Sequence, residues 1–154
     1  MMKILVAIDG SVPSGAAVKA VTRRPWPPGS MVRVLTVARP LLPPGELPMV
    51  GATYDQLTRE LLEEANKVAA RAADALRESG LSIETAVREG DPRAEIVAEA
   101  DRWGADLIVL GSHGRTGVKR WLMGSVAEHV MRHAPCSVEV TRAKARPEAA
   151  PGVL

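Results

Sequence analysis

The residues of this chain whose types and spacing suit chemistry lie in Gly111-Ser112-His113-Gly114, followed after nine residues by Gly124-Ser125. The stretch begins where the apolar run Ala105-Asp106-Leu107-Ile108-Val109-Leu110 stops and ends where a helical pattern starts at Val126. A strand that breaks into a glycine turn and resumes as a helix gathers backbone N–H groups at the helix start. There an anion can be held without a cationic side chain. Gly111 and Gly114 would let the backbone approach a ligand closely, while Gly124-Ser125 would add the first free donors of the helix and a hydroxyl. The chemistry implied is a phosphate cradle.

Such a cradle works only if strands and helices alternate around it. Residues 3–9 carry a near-continuous apolar run, as in a strand covered on both faces, and Ser11-Val12-Pro13-Ser14 offers helix-start chemistry before a helix over Ala16 to Arg24. Met31 to Ala38 reads as a valine-rich second strand. From Arg39 to Ala52 the chain has Pro40, Pro43, Pro44, Pro48, Gly45 and Gly51, which predicts a long loop. Its place directly after Val37 suits a mobile lid over a ligand. Tyr54 to Ser79 reads as the longest helix, with Leu57, Leu61, Ala65, Val68, Ala72 and Leu76 on one stripe and Gly80 past its end. Ile83 to Glu89 alternates as a strand, Asp91-Pro92 opens a helix that Gly104 closes, and Asp106 to Leu110 is the next strand. A helix from Ser125 to about His133 and a last strand from Ser137 to Thr141 follow. Ala143 to Leu154 reads as a disordered tail. The alternation predicts one α/β domain over residues 1–142: an open, mostly parallel sheet with helices on both faces and a site at the carboxyl ends of its strands.

Composition narrows the function classes. The chain has 154 residues, 46% of them hydrophobic, enough for one core. With no Phe, one Tyr and three Trp it is poorly supplied for stacking nucleic-acid bases, and its +2 charge is spread among 18 acidic residues, so no nucleic-acid partner is expected. No stretch reads as a signal segment or a bilayer span, and the lone Cys136 fits a reducing compartment, so a cytoplasmic location is expected and no membrane partner. Neither Gly-Lys-Ser nor Gly-Lys-Thr occurs, which excludes a P-loop motor. The Ser-Gly-Gly-x-Asp-Ser loop of ATP pyrophosphatases is absent too. The glycines also do not follow the first strand, as a dinucleotide fingerprint requires.

Gly-x-x-Gly, nine residues, then Gly-Ser resembles the nucleotide-binding signature of the universal stress protein family. Lys3 to Ser11, with its Asp9-Gly10-Ser11 turn, resembles that family's first strand; Val34 to Val37 resembles the second, and Ala134 to Val140 the last. The resemblance covers about residues 2–142. It implies a five-stranded, Rossmann-like fold of the adenine-nucleotide alpha hydrolase type that binds ATP, or ADP or AMP, with Mg2+ carried on the phosphates. The implied contacts are Ala7, Ile8 and Asp9 after the first strand, with Asp9 against the ribose, and the backbone of Val37 on the adenine edge. Leu110, Gly111, Ser112, His113, Gly114, Arg115 and Thr116 would follow across the first glycine pair, then Gly124, Ser125 and Val126. The resemblance further implies a stress-response regulator or sensor acting on an unknown downstream protein, and a homodimer through the last strand. Two alternatives stand beside it: a weak magnesium-dependent ATPase or autophosphorylating protein using Ser125 or a nearby hydroxyl, and a nucleotide-independent interaction module.

Ordinary roles compete at several of these positions. Asp9 could simply close an Asx turn. Trp121 is expected to pack under the motif loop, where Arg115, Lys119 and Arg120 supply charge. His129 and His133, four apart, make a poor metal site without a third ligand, so no metal-binding residues are assigned. His113 has no orienting partner or nucleophile visible in the sequence and reads as a loop residue near the ligand, so no catalytic residue is assigned. Cys136 reads as a small buried hydrophobe. Glu139 stands where an aliphatic residue is common in the family and is expected to face its counterpart closely in a strand-paired dimer.

Overall fold

A computed structural model describes residues 1–40, 51–113 and 122–143. The elements, in order, are β1 (Lys3–Ile8), α1 (Val12–Thr22), β2 (Met31–Ala38), α2 (Gly51–Leu76), a 3-10 turn (Arg77–Ser79), β3 (Ser82–Glu89), α3 (Pro92–Trp103), β4 (Leu107–Gly111), α4 (Ser125–His133) and β5 (Ser137–Thr141). The strands lie in the order β3-β2-β1-β4-β5, and every pairing is parallel. Parallel strands need crossovers, and the helices that supply them cover both faces of the sheet. β1 sits at the centre, and Ile4, Leu5 and Val6 are fully buried. Ile4, Val6, Val32 and Val34 pack against Val18 and Val21 of α1 and Val68, Ala69 and Leu76 of α2. Leu5, Leu35, Ile108 and Leu110 face the other way, against Ile96 and Ala100 of α3 and Ala127 and Val130 of α4. The period-2 alternation of each strand is thus used on both sides.

Element ends differ from the sequence reading in ways that local chemistry explains. β1 stops at Ile8 because Asp9 turns back to accept the Ser11 amide at 2.9 Å. α1 starts at Val12, four residues before the predicted Ala16, since Ser11 Oγ accepts the Ser14 amide at 3.3 Å and Pro13 sits in a first turn whose amides need no partner. It ends at Thr22 rather than Arg24, as Pro25 disfavours helix in the residue before it. α2 begins at Gly51, so residues 51 and 52 belong to the helix and not to the predicted loop; it closes at Leu76, and its last three predicted residues form the 3-10 turn. β3 gains Ser82, and β4 runs from Leu107 to Gly111 rather than from Asp106 to Leu110, with the Asp106 carboxylate accepting the Lys3 amide at 2.8 Å. α3, α4 and β5 lie where the sequence puts them. The predicted lid falls largely on residues 41–50 and the predicted tail on 144–154, outside the described residues.

One carboxylate anchors the sheet face that the two later helices leave open. Glu99 of α3 is fully buried, yet it takes hydrogen bonds from Arg33 of β2 at 2.7 Å, Arg88 of β3 at 3.0 Å and Arg102 of α3 at 2.7 Å. Burial alone would push its pKa up; the bonds from Arg102 and Arg33 and the charge of Arg88 more than reverse this and hold it below the usual range.

Candidate functional site

The chain runs outward from β1 through β2 to β3 and returns to lay β4 on the opposite side of β1. That reversal opens a crevice at the carboxyl ends of β1 and β4, the usual ligand position of an open α/β sheet. Ala7 pairs with Leu110 across it, and both side chains are buried in the core under α3 and α4. Ile8 faces α1 and α2 instead and pairs with Thr36, one residue before Val37. Val37 is half-buried, the penultimate residue of β2, in register with Arg88 of β3. Asp9, Val37, Gly111, Ser112 and His113 are thus gathered at one edge with the start of α4. Gly114, Arg115 and Thr116, with Lys119, Arg120 and Trp121, lie outside the described residues.

Gly111 and Gly124 each stand close against the protein's own backbone, contacts the sequence did not show. A Cβ on Gly111 would stand 2.7 Å from the Pro13 carbonyl carbon and 2.8 Å from its oxygen, so glycine here lets α1 start against the end of β4. A Cβ on Gly124 would meet the Ser112 carbonyl oxygen at 3.0 Å and His113 Cα at 3.3 Å. The close approach at both positions is therefore to the protein's own backbone. Gly124 is also no free donor, because its amide bonds the Ser112 carbonyl at 2.7 Å.

What remains at the start of α4 is an unfinished helix end. Gly124 is the N-cap, with extended backbone and no side-chain cap bond, and the first amide to turn back is that of Glu128, onto the Gly124 carbonyl at 3.0 Å. Ser125 is exposed, Val126 half-buried and Ala127 buried. The first-turn amides of these three residues, unsatisfied within any helix, carry its positive dipole end and can receive an anion.

Ser112 and His113 support this end, a role the sequence reading missed. Ser112 is buried; its amide donates to the Thr141 carbonyl at 2.8 Å and its carbonyl receives Gly124, so β5, the end of β4 and α4 are tied at one residue. Its Oγ lies 3.0 Å from His113 Nδ1, the orienting partner that the sequence did not reveal. His113 Nε2 is buried and has no hydrogen-bond partner among the described residues. In the tautomer in which Ser112 donates to Nδ1, the ring proton sits on Nε2 and can be given to an acceptor. Neighbouring strand residues normally point apart, and only the turn after Gly111 brings these two side chains together.

The other candidates take ordinary roles. Asp9 makes the Asx turn noted above. His129 and His133 stack, with ring centroids 4.1 Å apart, and His133 Nδ1 donates to the His129 carbonyl at 2.9 Å. No group of three or more His, Cys, Asp or Glu able to hold a metal occurs among the described residues. Cys136 is half-buried, and burial pushes its thiol pKa up, away from nucleophilic chemistry. No helix among the described residues is long and apolar enough to cross a membrane.

A family model described as the universal stress protein family matches residues 1–142. The chain belongs to that family. Universal stress protein YxiE of Bacillus subtilis is 32% identical over 146 residues, which span 91% of this chain and 98% of YxiE. The chain spans about half the length of several other curated relatives it matches. The solved structure of hypothetical protein MJ0577, from Methanocaldococcus jannaschii, superposes with a TM-score of 0.81 at 32% identity, over 94% of this chain and 98% of that one. The universal stress protein of Archaeoglobus fulgidus, solved in complex with dAMP, gives a TM-score of 0.57 at 27% identity, over 92% and 98% of the two chains. The five-stranded parallel sheet of a single domain is the fold of these relatives.

Proposed function

We propose that this universal stress protein binds an adenine nucleotide, ATP or its di- or monophosphate, and acts by binding it. The observation that carries the proposal is the start of α4: a helix end with no side-chain cap, set at the carboxyl edge of β1 and β4 beside a buried ring nitrogen that has no partner among the described residues. In this reading the Ser125 and Val126 amides and His113 Nε2 take phosphate oxygens, the Val37 backbone lies at the adenine edge and Asp9 near the ribose. The dAMP complex of the archaeal relative supports the ligand class. Mg2+ arrives on the phosphates. The protein is cytoplasmic, serves a stress response through a downstream protein, and forms a homodimer through β5, the edge strand.

Calorimetry with Mg-ATP, ADP, AMP and adenosine tests the reading. Binding of the phosphorylated ligands, with adenosine weaker by at least an order of magnitude, is expected. If no nucleotide binds at millimolar concentration, the chain is an interaction module, and multiple turnovers of radiolabelled ATP over an hour would make it an enzyme instead.

A further inference from the structure

The two ends of the sheet differ in what they leave open, and β5 carries a side-chain arrangement that the nucleotide site does not use. Among the described residues it pairs with β4 alone, and its other backbone edge is left without a strand partner. Val138 and Val140 pack into the core under α3 and α4. Glu139 points to the opposite face, where α1 lies. It is the middle residue of the five-residue strand, so antiparallel pairing of two copies with full overlap sets it opposite its own counterpart. Two carboxylates opposed in this way repel.

The end of α1 answers that repulsion. Arg24 grips Glu139 with a bidentate fork, Nη1 to Oε2 at 2.7 Å and Nη2 to Oε1 at 2.9 Å. The guanidinium stands 5.4 Å from the Trp26 ring centre, and the Trp26 indole N–H donates to the Val21 carbonyl at 2.9 Å, which fixes the ring against the helix end. An arginine held between an indole and a carboxylate is confined before any partner arrives, so little ordering is left for association.

We infer that Arg24, through its clasp on Glu139, is the residue that makes self-pairing of the β5 edge permissible and selects for it. This rests on the proposed strand pairing and names its selectivity. Two clasps meeting across the two-fold axis form a row of alternating charge, arginine flanking each carboxylate. A strand edge from another chain that presents a carboxylate without its own arginine meets repulsion, and selection among related chains follows.

Sedimentation velocity over a concentration series, at about 50 mM and about 500 mM salt, tests the clasp with Arg24→Ala, Glu139→Gln and the double variant, melting temperature serving as the fold control. Arg24→Ala is expected to raise the dimer dissociation constant at least ten-fold at low salt, with much of the loss recovered at high salt, where the bare carboxylates are screened. Glu139→Gln and the double variant are expected to dimerise at least as tightly as the unaltered chain. Should Arg24→Ala leave the constant unchanged, or Glu139→Gln weaken it ten-fold, the clasp is overturned while the dimer stands. A monomer at every concentration in the unaltered chain overturns the strand pairing itself, whatever Arg24 does.

Discussion

Helices α3 and α4 pack side by side on one face of the sheet, yet their first turns are finished in opposite ways. At α3 the Asp91 carboxylate accepts the Arg93 amide at 3.0 Å, the Arg93 guanidinium clamps the same carboxylate at 2.6 Å, and Pro92 removes one amide altogether. The Ala94 and Glu95 amides both return to the Asp91 carbonyl, at 3.1 and 2.9 Å. That helix end satisfies itself and holds nothing for a ligand. At α4 the capping position is Gly124, which supplies no side chain, so the dipole and the first-turn amides stay available. Two βα units of one sheet thus differ in how their helix starts are capped by the residue at a single position. Their anchoring differs as well: α3 is pinned by the buried Glu99 and its three arginines, while α4 is held by Ala127 and Val130.

The largest effect is expected where α3 is pinned. Replacing Glu99 with Ala leaves Arg33, Arg88 and Arg102 around an empty carboxylate position, and breaking a buried ionic cluster from one side costs about 3–5 kcal/mol. Urea unfolding should show a loss of that size; a loss below about 1 kcal/mol would mean that solvent reaches the cluster and that α3 is no better anchored than α4.

Next in size is an attempt to close the open end. Ser125→Glu places a carboxylate in the first turn of α4, where the dipole favours it, so the fold should be as stable as before or slightly more so. The same charge sits about 4 Å from where a phosphate would lie, which at an effective dielectric of 20 is worth about 4 kcal/mol of repulsion. Mg-ATP affinity should therefore fall at least about a hundred-fold while the melting temperature holds. Retained affinity in this variant would move the phosphate away from α4.

The sequence displayed the architecture because strand burial and helix caps are local signals. Asp91-Pro92 and Gly104 bracket α3 unambiguously, and the apolar runs of β1, β2 and β4 could only be covered strands. The start of α1 was placed at Ala16 because Ser11 to Ser14 were read as helix-start chemistry ahead of the helix, whereas Ser11 is its cap and Val12 to Ser14 its first turn. The glycine spacing marked the turn from β4 toward α4, whereas the contacts of Gly111 and Gly124 were not legible: they approach Pro13 and Ser112, contacts set by tertiary packing. Two further residues escaped for the same reason. Ser112 gains its role only when β4, β5 and α4 converge, and Glu139 looked repulsive because nothing links it to Arg24 along the chain. Glu99 did leave a trace, since it stands on the buried stripe of α3 with Ile96 and Ala100.

A smaller effect sharpens the contrast from the capped side. Asp91→Ala removes the cap of α3 and should cost about 1 kcal/mol by urea unfolding, as N-cap deletions commonly do. It should leave nucleotide affinity unaltered, because α3 ends no part of the cradle. A several-fold loss of ATP affinity in this variant would show that the two helix starts are coupled through their shared packing, and the comparison would have to be drawn between linked sites.

The smallest expected effect concerns acid. Hydrogen bonding from the Arg93 side chain holds the Asp91 carboxyl pKa at about 2, below the ordinary value near 4 that it regains in the unfolded chain. A depressed carboxylate contributes stability that is fully present above about pH 4 and is lost as pH falls through 4 toward 2, because protons then bind the unfolded state first. The group is 42% exposed, so solvent screens the clamp and the contribution is modest. Glu99 also has a lowered pKa, so the unaltered protein alone cannot isolate the cap. Asp91→Asn can, since asparagine caps a helix as well as aspartate but carries no charge to titrate. Urea midpoints of the two proteins should differ by a constant amount from pH 5 to 7 and converge between about pH 4 and 2. Gly124 carries no side chain that titrates, so the cap of α4 itself contributes no matching convergence. Parallel curves down to pH 2 would assign the acid response of α3 to Glu99 and reduce the Asp91 cap to an uncharged hydrogen bond.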